Sequence, residues 1–179
     1  MTAPTITAAL AEAYAYAAPQ TLILHTLEMR HPAFRTESGS PDAIRVVLDH
    51  DDHILTLEAD APLHGGLAVA FKGFAFMVGL PEQAAGRLPE MEITVDNVSR
   101  EIADRLGQAI AVRAPIELTY REYLAADTSA PQRVMSGFTL REAVATIYRV
   151  TGRAGFLDFI NRTFPGLRYT REGFPLLAR

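Results

Sequence analysis

Apolar and polar side chains alternate along much of this chain. In Met91–Glu92–Ile93–Thr94–Val95 the alternation puts Met91, Ile93 and Val95 on one side of a strand and Glu92 and Thr94 on the other. Pro115–Tyr123 alternates in the same way. So do Val134–Leu140 and Ala143–Val150, with Arg141–Glu142 as a tight connection between them. Further strand-like runs are Thr21–Met29, ending at a His31–Pro32 turn, then Ala43–Leu48 and His53–Glu58. Gly66–Val78 reads as two short strands hinged at Gly73. Arg35–Asp42 reads as a polar loop and Leu80–Pro89 as a turn-rich connector.

The helical period is confined to two places. Val98, Ile102, Leu106 and Ala109 or Ile110 fall on one stripe, which predicts an internal helix over about 98–110. Thr7–Ala18 is rich in Ala and is stopped by Pro19, which predicts an N-terminal helical arm within residues 1–19. Residues 20–179 then form a single β-rich domain, and its last part, 154–179, is extended and aromatic with two Phe-Pro dipeptides. The predicted class is α+β and β-rich: an antiparallel barrel or sandwich carrying one internal helix and the arm.

Composition narrows the function more than the fold. No apolar run approaches the ~20 residues that span a bilayer. The first residues carry no basic side chain ahead of their apolar stretch, which argues against a secretory signal. With no cysteine there are no disulfides, iron–sulfur clusters or thiolate metal sites. The formal charge of −4, without a basic tail, does not suggest nucleic-acid binding. Sixteen of the seventeen basic residues are Arg, leaving Lys72 as the single lysine. That bias fits a GC-rich genome, and it would also suit bidentate contacts at protein interfaces.

Candidate chemistry is sparse. Asp49–His50–Asp51–Asp52–His53 follows the strand IRVVL, and His50 and His53 could share zinc or another divalent ion. Adjacent polar residues of this kind more often form a solvated hairpin tip, because a metal site draws its ligands from separate elements. His25 lies in an apolar strand and reads as a satisfied core or interface residue, while His31 and His64 are scattered. Turn geometry accounts for Gly65–Gly66. Glu90 and Glu92 share one strand face, expected to be the wet one. Asp96–Asn97 sits where the 91–95 strand would turn into the 98–110 helix, and either side chain can cap the helix N-terminus. The expectation is therefore no catalytic, cofactor or metal residue.

The stretch LPEMEITVDNVSREIADRLGQ resembles the acidic-strand, D-N-V, helix segment of a family of long-tailed phage and prophage tail proteins. Leu22–Met29 with His31–Pro32 resembles that family's opening strand, and Ile44–Val47 with Asp49 its second strand and exit. Phe156–Asn161, Phe164–Gly166, Tyr169–Thr170 and Phe174–Pro175 resemble its closing stretch. The order of elements is also similar to the first domain of the lambda-type minor tail protein L family and of baseplate hub proteins. The resemblance implies a structural protein of the virion tail tip, a hub or adaptor ring rather than an enzyme. Its implied partners are copies of itself, the distal tail or tube protein, the tape-measure protein and the central fibre (host-specificity) protein. Hub relatives imply three copies and distal-tail rings six. Other readings are a distal-tail ring, a tail assembly factor, or a metal-dependent hydrolase built on Asp49–His53.

Overall fold

Strand-forming alternation is realised along most of the chain. The computed structural model describes residues 7–16, 22–79, 90–96, 104–105, 107–109, 112, 114–146 and 149–156. Helix α1 is Ala8–Tyr16, and the strands are β1 (Ile23–Arg35), β2 (Pro41–Val47), β3 (His53–Thr56), β4 (Ala68–Gly73) and β5 (Phe76–Gly79). They continue with β6 (Glu90–Asp96), β7 (Ile116–Leu124), β8 (Arg133–Ala145) and β9 (Arg149–Phe156). All nine belong to one open sheet in the order β3-β4-β2-β1-β7-β8-β9-β6-β5. Pairing is antiparallel except between β2 and β4, which run parallel, so the sheet is mixed. The class is α+β, β-rich and sandwich-like, as the alternation predicts.

Three boundaries differ from the sequence reading. β1 does not end at His31–Pro32 but runs on to Arg35, and its register with β2 shifts between Arg30 and Arg35. Proline has no N–H for a ladder, so it is accommodated where pairing is interrupted. His31 holds the irregularity: its Nδ1 accepts from Ala33 N–H at 3.0 Å and its Nε2 donates to the Ala114 carbonyl at 3.2 Å. Arg141–Glu142 is not a turn either. It is a register shift inside the long strand β8, and the chain reverses after Thr146 instead. The predicted strand from Ala143 therefore divides between β8 and β9, and β9 takes in 154–156 of the expected extended tail.

The split at Gly73 is found as expected, with β4 before it and β5 after it. A side chain there would place its Cβ 2.8–2.9 Å from the carbonyl oxygens of Asp49, His50 and Asp51, so only glycine fits beneath that turn. Most of the predicted 98–110 helix, with the Asn97 corner, lies outside the described residues; 104–105 and 107–109 within it are helical. The 157–179 segment also lies outside them.

Strands β2, β1 and β7 are covered on both faces. Leu27, Met29, Ile44, Val46, Leu118 and Tyr120 point to a large core completed by Phe76, Met91, Ile93, Val95, Phe138 and Ala154. Because β2 and β5 lie far apart in the strand order yet share this core, the sheet curls around it. On the opposite face Leu24, Val47 and Tyr123 meet Leu55, Leu57 and Phe71 in a second, smaller core. Each fully buried large apolar side chain contributes roughly 1.5–3 kcal/mol. Helix α1 packs on its own chain: Leu10 is fully buried, and Thr7 Oγ1 donates to Gln132 Oε1 at 2.7 Å.

Candidate functional site

The second face is not apolar throughout. Register places Thr26, Glu28 and Arg30 of β1 beside Arg45 of β2 and Thr119 and Arg121 of β7, on the same side as the smaller core. Glu28 and Arg121 are fully buried. Arg45 Nε donates to Glu28 Oε2 at 2.9 Å, Arg121 Nη1 lies 3.6 Å from the same oxygen, and Arg30 Nε lies 3.7 Å from Oε1. One buried carboxylate thus faces three guanidiniums. Arg121 also grips Glu58 with a planar fork, Nε to Oε2 and Nη2 to Oε1, both at 2.7 Å. Burial alone would raise the Glu58 pKa, but the Arg121 hydrogen bond and charge outweigh it and hold the carboxyl below its ordinary value.

Glu58 belongs to a loop that roofs this charged layer. Leu57 N–H bonds to Leu67 O at 3.1 Å and Gly66 N–H to Glu58 O at 3.0 Å, so the loop's ends meet and its interior is self-supporting. Gly66 has φ +71°, fulfilling the turn expected at Gly65–Gly66. His64 has φ +60°, a left-handed backbone that costs a side-chain-bearing residue about 1 kcal/mol. It accepts a 3.1 Å hydrogen bond at Nδ1 from Arg45 Nη2. Because a guanidinium can only donate, this contact assigns the ring proton to Nε2.

Beside this loop opens a cleft of about 350 Å³ lined by Asp42–Arg45, His64, Leu67–Ala70, Lys72 and Arg105. Arg105 Nη1 donates to Asp42 Oδ2 at 2.7 Å, and Arg45 Nη1 lies 3.9 Å from Asp42 Oδ1. Burial pushes Asp42 upward, yet the Arg105 hydrogen bond and the Ala43 N–H overcome it and keep Asp42 ionised below its usual range. This cleft, with the buried layer behind it, is the candidate binding site.

On the other face lies a second polar cluster. His25 Nδ1 donates to Tyr120 Oη at 2.6 Å, and Tyr120 Oη donates in turn to Glu122 Oε1 at 2.9 Å. Arg133 Nη1 reaches the same carboxylate at 3.4 Å. Burial, followed by the charge of Glu122, raises the phenol pKa of Tyr14 in α1. Burial lowers the His25 pKa, with Glu122 only partly opposing it, so the imidazole is neutral. His25 is a satisfied, half-buried histidine, in line with the sequence reading.

The Asp49–His53 run folds into a locked turn. His53 Nε2 donates to Asp49 Oδ2 at 2.7 Å, His50 N–H to Asp49 Oδ1 at 2.7 Å, and Gly73 N–H to Asp52 Oδ1 at 2.8 Å. The His53 hydrogen bond, then that of His50 N–H, lowers the Asp49 pKa. Among the described residues no three His, Asp or Glu side chains converge as a metal site would require. Glu90 and Glu92 are exposed, as expected, and Arg153 Nε lies 3.3 Å from Glu92 Oε1.

Sequence reasoning singled out none of Glu28, Arg45, Glu58, Arg121 or Glu122. Their signal was available: isolated charges of both signs inside strand-like runs, as in TLEM, AIRVV and TYREY.

A family described as a domain of unknown function (DUF1833) matches residues 9–169. The chain belongs to this family. The match takes in α1 from its second residue, Ala9, together with every strand of the sheet. No curated protein matches the chain. In this DUF1833 chain the cleft presents guanidinium, ammonium, imidazole and carboxylate groups.

Proposed function

We propose that this chain is a structural component of the tip of a long phage or prophage-derived tail. It acts as a hub or adaptor subunit, ringed with copies of itself between the tube and tape-measure end above and the central fibre below. The observation that carries the reading is the ordered series of segments that resemble tail proteins, from Leu22–Met29 to Phe174–Pro175. A match to one domain family across 9–169 supports treating that series, as far as Tyr169, as a single unit. The build of the molecule supports it too. Its two cores and internally neutralised charge layer suit a rigid ring segment. Large apolar side chains stand exposed at separate places, including Leu22, Ile54, Leu67, Met77 and Val144, which suits extended contacts rather than one deep pocket. The mechanism is positional, with no bond made or broken, and closed cyclic symmetry is its natural form.

Mass spectrometry of purified particles from a host carrying the gene, combined with gold labelling of an epitope-tagged copy, tests this. The expected result is a low-copy particle protein labelled at the tail end distal to the capsid. Absence from finished particles would make it an assembly factor. Metal-dependent turnover lost in His50→Ala or His53→Ala would replace the reading with a hydrolase.

A further inference from the structure

A second hollow, of about 300 Å³, borders Asp42 as the cleft does. It lies where the irregular part of β1, the start of β2, the 57–67 loop and the approach to β7 meet. Three prolines from separate segments edge it, Pro32, Pro41 and Pro115, and all three are exposed. Leu63 and Ala114 add further apolar surface. Such a patch suits a flat ring, because proline and aromatic rings are the surfaces that meet when proline-rich segments are recognised. It does not suit an added strand, since proline has no N–H to pair.

The polar part of the lining is Arg30, His31, Asp42 and Glu117. His31 has no free ring nitrogen, as both are bonded to backbone groups. The charge of Arg30 is met by Glu117, with Nη2 donating to Oε2 at 3.1 Å. That of Asp42 is met by Arg105 at 2.7 Å. Charge therefore selects no ligand here, and hydrogen bonding does. Arg30 Nε and Nη1 are buried and have no hydrogen-bond partner, even though the charge of the guanidinium is balanced. Buried donors of this kind are costly to leave unpaired, and a neutral oxygen that accepts from them removes the cost.

We propose that this hollow takes a tyrosine side chain presented by a partner protein. The ring lies among the three prolines and Leu63, and the phenol oxygen accepts from Arg30. The phenol O–H donates in turn to Glu117, whose side chain is more than half exposed. Phenylalanine would leave the Arg30 donors unpaired, and the N–H of tryptophan can only donate. A carboxylate would set a further negative charge beside Asp42 and Glu117. The volume stands at the lower end of the range for ligand sites, which suits a single ring. Tyrosine is also among the residues that most often anchor protein interfaces. The proposal holds whether or not the chain works in a tail.

The test titrates the full chain with three probes, the N-acetyl amides of tyrosine, phenylalanine and glutamate, and follows backbone amide shifts by NMR. The tyrosine probe should bind about tenfold more tightly than the phenylalanine probe, the worth of one hydrogen bond to a charged group. It should shift the amides of His31, Leu63, Ala114 and Glu117, and the glutamate probe should not bind. Arg30→Met should bring the tyrosine probe down to the affinity of the phenylalanine probe and leave the latter unchanged. Ala114→Phe fills the hollow from a half-exposed position and leaves Arg30 in place. It should abolish binding of both rings while keeping the thermal melt of the parent, so the test stands even if Arg30→Met fails to fold. Equal binding of tyrosine and phenylalanine, tighter binding of glutamate, shifts confined to other residues, or no binding at all overturns the proposal.

Discussion

Glu28 shows what a buried charge requires. Its carboxylate has Arg45 Nε at 2.9 Å on one oxygen, with Arg121 and Arg30 a little farther off. Taking one partner out of such a group strands the others in a medium that solvates them poorly. Glu28→Gln is therefore expected to cost about 3–5 kcal/mol in a urea unfolding experiment. A loss under about 1 kcal/mol, the scale of a surface pair, would mean water already screens the layer. The same layer sets the acid response. Asp42 and Glu58 hold protons less readily folded than unfolded, so their stabilisation is complete above the unfolded carboxylate range near pH 4 and is lost as pH falls below it. His25, kept neutral by burial, adds a loss that begins as pH drops below about 6.5, where the unfolded chain takes up that proton first. The melting temperature should fall from pH 7 to pH 4 and more steeply below. A profile flat between pH 7 and pH 4 would contradict the His25 shift, and one flat below pH 4 the shifts of Asp42 and Glu58.

Elements are where the sequence was most legible. Alternation located β7 to within a residue, and Gly73 was recognisable as a hinge because a glycine between two apolar runs has few other uses. The miss at His31–Pro32 arose because proline usually ends a strand, whereas here His31 spends both ring nitrogens on the backbone and carries the strand past it. The charged layer was harder to read. Alternation assigns Thr119 and Arg121 of TYREY to solvent, and only the fold-back of β3, β4 and the 57–67 loop buries Arg121. Two substitutions probe elements directly. Gly73→Ala would drive its methyl into three backbone carbonyls and should cost on the order of 3 kcal/mol, measured as a shift in the urea midpoint. Leu10→Ala should cost about 2–5 kcal/mol if α1 unfolds together with the sheet. An unchanged midpoint would make the helix an independent arm, free to reach a neighbour as its sequence suggested.

At the scale of the molecule, two long ladders join strands far apart along the chain. β1 is laddered to β7, with Thr26 opposite Arg121, and β6 to β9, with Thr94 opposite Thr151. Neither core can close from the first half alone, since each needs β7 and the larger also needs Phe138 and Ala154. A chain leaving the ribosome therefore holds β1 and β2 with half their surface uncovered until its final third has been made. Neighbouring strands such as β1 and β2 or β7 and β8 can pair early, but closing either core waits on the long-range ladders, which makes that closure the late, slow event. During that interval the unmatched strands are open to wrong partners, which makes temperature during synthesis, more than the finished protein's stability, the control on soluble yield.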